Sequence, residues 1–194
     1  MPDSDDFSDW CRRLAASDRT AYAEVFEALY EPLFRYVCSI TKDEAAARDV
    51  TQDVFVRLWD VRDGLDPSRS LKSYLYRIAR NRAYNHQRDR DTAQEKADDV
   101  RHHSNARPAA PTPPDEAVEG ERLEASMREW ISALPERQRE AIVLSRFEGL
   151  SHEQIAQVMD ISPRTVNNHI VRGLKRLRNR VHDYKPDLLA HNEQ

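Results

Sequence analysis

Six basic side chains, Arg164, Arg172, Lys175, Arg176, Arg178 and Arg180, fall between residues 164 and 180 with no acidic one among them. Cations gathered at this density attract phosphate, and the amides of Asn167 and Asn168 in the same stretch can pair with base edges. Helical spacing puts Val166, Ile170, Leu174, Leu177 and Val181 on one face, with Arg164, Thr165, Asn168, Arg172 and Lys175 opposite. A second basic run covers residues 72–90, with six basic side chains and one acidic. Its Leu71, Leu75 and Ile78 are expected to face inward, and Tyr76, Arg77, Arg80, Tyr84, Gln87 and Arg88 outward. Rings interleaved with cations suit nucleic acid whose bases are unstacked, because cations hold phosphates while rings stack on bases. A third strip, Asp49, Gln52, Asp53, Val56 and Asp60, is acidic and reads as a docking surface for a protein partner. Each pattern alone also fits a plain solvated helix face, and cations near a helix C-terminus complement its dipole. What favours nucleic acid is the company these residues keep.

That company is a pair of helices joined by a short turn. Ser151 and Gln154 fit a capping box, Leu150 can staple onto Ile155, and a helix is expected over His152 to Met159. After Asp160 and Ile161, Ser162 is the expected N-cap and Pro163 the first helical residue of a segment reaching Val181. This is the spacing of a helix-turn-helix, whose second helix enters the major groove. Upstream, Thr41 and Glu44 fit another capping box, opening a helix with Ala47, Val50, Val54, Leu58 and Val61 on one apolar stripe and Phe55 and Trp59 on a second.

Apolar residues recur three and four apart almost everywhere outside the middle of the chain, and glycines number only four, so the expected fold is all-α. Helices are expected over Phe7–Ala16, Ala21–Ile40, Lys42–Val61, Leu71–Arg90, Glu121–Ala133, Glu136–Phe147, His152–Met159 and Pro163–Val181. The stretch 91–120 holds Pro108, Pro111, Pro113 and Pro114, few large apolar residues, and seven acidic against three basic side chains. It reads as a flexible linker. Two small helical domains, 1–90 and 121–194, follow, in keeping with 194 residues of which 39% are hydrophobic, enough for two modest cores.

Several functions are disfavoured. There is no glycine-rich phosphate loop or nucleophile elbow, so no catalytic residue, enzyme activity or cofactor is expected. His102 and His103 lack further ligands at metal spacing, so no metal is expected. Cys11 and Cys38 read as reduced packing residues. No apolar run approaches a membrane span and the acidic start Met1 to Asp6 lacks a signal's basic flank, so no membrane insertion and a cytoplasmic location are expected.

Three segments together, Asp49 to Trp59, Tyr74 to Asn81, and Leu134 to Arg178, resemble the sigma-70 family, and most of all its extracytoplasmic-function class. Those factors carry only the second and fourth conserved sigma regions, joined by a linker; the resemblance covers roughly residues 20–90 and 122–181. It implies promoter-specific initiation by core RNA polymerase, with Asp49, Gln52, Asp53 and Val56 docking on the clamp helices of the largest subunit. It implies that the loop from Gly64 to Lys72, with Ile78 and Asn81, captures a base flipped from the minus-ten element, and that Lys72, Tyr76, Arg77, Arg80, Tyr84 and Arg88 hold the opened strand. The helix-turn-helix is implied to read the minus-thirty-five duplex through Ser162, Arg164, Thr165, Asn167, Asn168, Arg172, Lys175 and Arg176, its domain also touching the flap of the second-largest subunit. The acidic linker would thread along the RNA path. An anti-sigma factor is a further partner class that the resemblance admits.

Some positions depart from the family. Tyr74 stands where many members have Trp, Asn85 where Asp is common, and the loop Gly64 to Ser70 lacks the commoner Phe-Arg-Gly pattern, so no promoter sequence carries over. The stretch Ser162 to Ile170 also looks like the recognition region of LuxR-type regulators. The alternative is therefore a stand-alone regulator, although residues 1–90 lack the alternating strands of a phosphoacceptor receiver.

Overall fold

The structure is a computed structural model, and it describes residues 4–98 and 119–184. Eight α-helices account for most of the described chain: α1 (Ser4–Ala15), α2 (Arg19–Thr41), α3 (Glu44–Asp60), α4 (Leu71–Asp98), α5 (Glu119–Ser132), α6 (Glu136–Ile142), α7 (His152–Met159) and α8 (Pro163–Tyr184). The all-α expectation holds, in two compact units. The first contains α1 to α4 and also takes in α7; the second contains α5, α6 and α8. The expected linker coincides with helix up to Asp98, because α4 runs on past Arg90. Its residues 99–118, with the four prolines and His102–His103, lie outside the described residues, as does the tail 185–194.

In the first unit α2, α3 and α4 pack against one another, and α1 lies on α2. Asp18 starts α2 by accepting from the N–H groups of Thr20 at 2.7 Å and Ala21 at 3.3 Å, which satisfies donors with no partner inside the helix. Lys42 ends it in the left-handed region at φ 56°, its N–H bonded to Cys38 O. The expected capping box at Thr41 and Glu44 is not formed. Asp43 caps α3 by accepting from Ala46 N–H at 3.1 Å, while Thr41 is buried as the last residue of α2, its hydroxyl donating back to Val37 O. A carboxylate immediately ahead of the helix outcompetes a hydroxyl already engaged with its own helix.

The core of this unit is built by Leu14, Val25, Leu29, Leu33 and Val37 with Val54, Phe55 and Leu58 of α3 and Leu71, Leu75 and Ala79 of α4. Phe55 is ringed by Phe26 at 4.8 Å, Tyr30 at 6.1 Å and Tyr22 at 6.4 Å between centroids. Tyr22 also meets Trp59 edge-on and donates to Phe55 O. Both apolar stripes of α3 are thus used internally, one toward α4 and one toward the aromatic residues of α2. At the edge of the unit, Arg13 of α1 binds both oxygens of Glu24 at 2.8 Å and one of Asp18 at 2.9 Å, and Trp10 donates to Glu24. The Arg13 bonds hold Asp18 and Glu24 below the usual carboxylate range, helped at Glu24 by Trp10.

In the second unit α6 and α5 pack on α8, with Leu134, Ile142 and Leu177 at the centre and Trp130, Ile131 and Leu174 around them. The α6–α8 approach is close because Gly173 sits in mid-helix, where a Cβ would come within 2.5 Å of Ile142 Cδ1. The single helix expected over Glu136 to Phe147 changes pitch: Val143–Phe147 forms a π-turn, closed by Glu148 N–H on Val143 O at 3.1 Å. Gly149, at φ 65°, then reverses the chain so that Leu150 N–H reaches Leu144 O.

Candidate nucleic-acid interface

The clearest surface is α8. Ser162 is its N-cap, the hydroxyl accepting from Thr165 N–H at 3.1 Å and paired with the Thr165 hydroxyl at 2.8 Å. Val166, Ile170, Gly173 and Leu177 are buried, which turns Arg164, Asn167, Asn168, Arg172, Lys175 and Arg176 outward, all exposed. Thr165 is half-buried. The first turn carries no acidic side chain to offset the positive end of the helix dipole. Such a face can neutralise phosphates and present two amides and several guanidinium groups to base edges. The turn ahead of it is short, with Ile161 N–H bonded to Ala156 O at 3.1 Å at the end of α7.

The α4 surface differs from expectation. Tyr76 was expected outward but is fully buried, its ring 5.2 Å from that of Tyr36 between centroids. Arg80, also expected outward, and Lys72, which the family resemblance placed on the opened strand, are buried at 8% and 9% exposure, while Ile78, expected inward, is only half-buried. The reason is that α4 packs on both α2 and α3, so its buried arc is wide and centres on Leu75, Tyr76, Ala79 and Ala83 rather than on a single Leu/Ile stripe. What α4 presents is Arg77, Asn81 and Arg88, exposed, flanked by Tyr74 and Ile78, half-buried. The Arg77 guanidinium lies 5.9 Å from the Tyr74 ring and that of Arg80 4.6 Å from the half-buried Tyr84 ring. Cation and ring still alternate, with Tyr74 in the place expected of Tyr76. Tyr74 lies three residues before Arg77, a helical spacing that could have revealed it.

Before α4, the loop from Gly64 is shaped by Asp66, which accepts from both the N–H and the hydroxyl of Ser68, at 2.9 and 2.6 Å. Those bonds hold the Asp66 carboxyl below its usual range. Ser70 Oγ accepts from Ser73 N–H at 3.2 Å, closing the start of the helix.

On α3, Asp49, Gln52, Asp53 and Val56 are all exposed and share one face by their spacing, Val56 at 58%. A shallow groove beside them is lined by Arg19, Tyr22, Val56, Trp59 and Asp60. Asp53 is paired with Arg82 of α4 at 2.5 Å. Arg82 escaped the sequence reading because its partner lies 29 residues away on another helix, a separation that no local spacing encodes.

Comparison with known proteins agrees with this geometry. Residues 25–92 match Sigma-70 region 2 and residues 125–177 match Sigma-70, region 4. The chain is 29% identical over 170 residues to the probable RNA polymerase sigma factor RfaY of Xanthomonas campestris pv. campestris; the match covers 86% of this chain but only 42% of that protein's length. It is 24% identical over 178 residues to the ECF RNA polymerase sigma factor SigK of Mycobacterium bovis, covering 91% of this chain and 94% of that one. Among solved structures it shares the fold of the sigma factor RpoE in complex with the anti-sigma factor NepR from Bartonella quintana, with a TM-score of 0.63 at 23% identity, over 81% of this chain and 94% of that one. No described helix is long and apolar enough to cross a membrane. With both regions matched in order, one on each side of the expected linker, the chain belongs to the sigma-70 family of RNA polymerase sigma factors, in its extracytoplasmic-function class, and is a promoter-directing factor rather than an enzyme or a stand-alone LuxR-type regulator.

Proposed function

We propose that this chain docks on core RNA polymerase through the exposed face of α3, reads the minus-thirty-five duplex with α8, and holds the opened minus-ten strand on α4 and the loop before it. The observation that carries the reading is the coexistence of two unlike basic surfaces on one chain. The α8 face presents amides and cations without rings, as duplex readout requires, whereas the α4 face sets cations beside rings, as unstacked bases require. A duplex-binding regulator has no use for the second.

In this mechanism Arg164, Asn167, Asn168, Arg172, Lys175 and Arg176 contact the upstream duplex, with Ser162 and Thr165 fixing the entry of the helix. Arg77, Asn81 and Arg88 hold strand phosphates, and Tyr74, Ile78 and the edge of Tyr84 meet bases. Tyr76, Lys72 and Arg80 act from within, supporting the α4 surface through their packing. Asp49, Gln52, Asp53 and Val56 form the polymerase contact, an acidic strip with an apolar centre that suits a basic, partly apolar helical partner. Residues 1–90 serve as the region 2 domain and 121–194 as the region 4 domain. The protein works in the cytoplasm, where polymerase and chromosome are, and an anti-sigma factor of the kind seen with RpoE covers these surfaces when initiation is held off.

The docking assignment is tested by measuring the affinity of the full chain for purified core polymerase. Reversing charge with Asp49→Lys and Asp53→Lys together is expected to weaken binding at least about tenfold and to make the remainder less salt-sensitive. Unchanged affinity with unchanged helicity overturns the assignment of α3.

A further inference from the structure

On the outer face of α8 one side chain is chemically out of place. Val171 is 55% exposed; of its neighbours three and four residues away on the helix, Asn167, Asn168 and Lys175 are exposed and polar, while half-buried Leu174 packs on the core cluster. Packing within the chain does not account for it, because the buried line of α8 runs through Val166, Ile170, Gly173 and Leu177. Helix propensity does not account for it either, since a β-branched residue is a poor choice at an exposed helical position. Position along the axis is informative. Val171 lies about 12 Å beyond Pro163 at the rise of an α-helix, comparable with the roughly 12 Å width of the major groove that such a helix enters.

We propose that Val171 is a further base-reading residue, whose isopropyl group contacts the C5 methyl of a thymine in the upstream duplex. The inference rests on the reading of α8 given above and deepens it. Of the groups that base pairs display in the major groove, the thymine methyl is the apolar one, so an apolar side chain held among amides and cations selects for it. Asn167 and Asn168, one turn earlier, offer hydrogen bonds to the polar edges of neighbouring bases; Lys175, one turn later, holds the backbone. Val171 thereby adds a thymine preference that hydrogen bonding alone does not supply.

The test uses holoenzyme reconstituted from the full chain and purified core polymerase. Bound duplexes are selected from a pool randomised upstream of the opened region, and each thymine of the selected element is then replaced by deoxyuridine, which removes only the methyl group. At one thymine, the replacement is expected to weaken wild-type binding about fourfold, the worth of one buried methyl-sized group. With Val171→Ala the thymine and uracil duplexes should bind equally, and with Val171→Ile the discrimination should persist. A uracil penalty of the same size in wild type and Val171→Ala, no uracil penalty at any position, or a selected element without thymine overturns the proposal. If wild-type holoenzyme selects no sequence at all, the promoter-reading role of α8 fails first and takes this inference with it.

Discussion

Replacing Gly173 with alanine places a Cβ 2.5 Å from Ile142 Cδ1 and 3.4 Å from both Ile142 Cγ1 and Gln138 Cβ. In an open helix the change would favour folding by about 1 kcal/mol, because alanine exceeds glycine in helix propensity. At this site Ile142 is 2% exposed and packed with Leu134 and Leu177, so it has little room to turn away. Overpacking of that kind costs about 1–3 kcal/mol, which leaves a net loss of about 1 kcal/mol. Ile142→Val deletes the clashing Cδ1. Alone it should cost about 1 kcal/mol; combined with Gly173→Ala it should cost less than the sum, with a coupling of about 1 kcal/mol. Amide hydrogen exchange read by mass spectrometry on α6 and α8 peptides of the full chain gives the local opening free energy. If Gly173→Ala leaves α8 as protected as before, or the double variant is additive, the close α6–α8 approach that orients α8 is refuted.

Tyr76→Ala is expected to destabilise the first unit by about 3 kcal/mol in urea unfolding, as loss of a large buried ring does, while Tyr76→Phe keeps opened-strand binding in the holoenzyme; a specific binding defect in a stably folded Tyr76→Phe would restore Tyr76 to the DNA surface. Arg172→Ala should weaken upstream-duplex binding by about 1–3 kcal/mol if it pairs with a base, with a sequence-dependent loss, and should leave core affinity unchanged. Asp18 and Glu24 have folded-state pKa values below their unfolded ones. Their contribution is therefore complete above the ordinary carboxylate range and is lost as pH falls through it toward the depressed values. The protection of α1 amides, taken relative to their intrinsic exchange rate at each pH, should fall selectively on acidification below about pH 4, and Glu24→Gln should remove most of that pH dependence.

Helix existence and order were legible because capping residues and apolar periodicity are local properties: α7 spans His152–Met159 as expected, and α8 begins at Pro163 behind a Ser162 cap. The exposed basic face of α8 was legible too, since a helix with one buried side leaves little choice about what the other presents. The face of α4 was not. Its inward arc depends on packing against two helices at once, which drew Tyr76, Lys72 and Arg80 inside and left Ile78 partly out. The same limit hides the Asp53–Arg82 pair, which joins residues distant in sequence, whereas the cap of α3 was a local choice in which Asp43 competes with a Thr41 hydroxyl already bonded to its own helix. The end of α4 was missed for another reason: residues 91–98 are charged and polar without an apolar stripe, and α4 nonetheless continues through them.

Promoter-dependent transcription tests the central claim most directly. Purified core polymerase is incubated with genomic fragments from the source organism, with and without the full chain, and transcript starts are mapped. New transcripts with defined starts, appearing only with the chain and lost on Asp49→Lys and Asp53→Lys replacement, are the predicted result. A folded chain that leaves the output of active core polymerase unchanged on every fragment would contradict it.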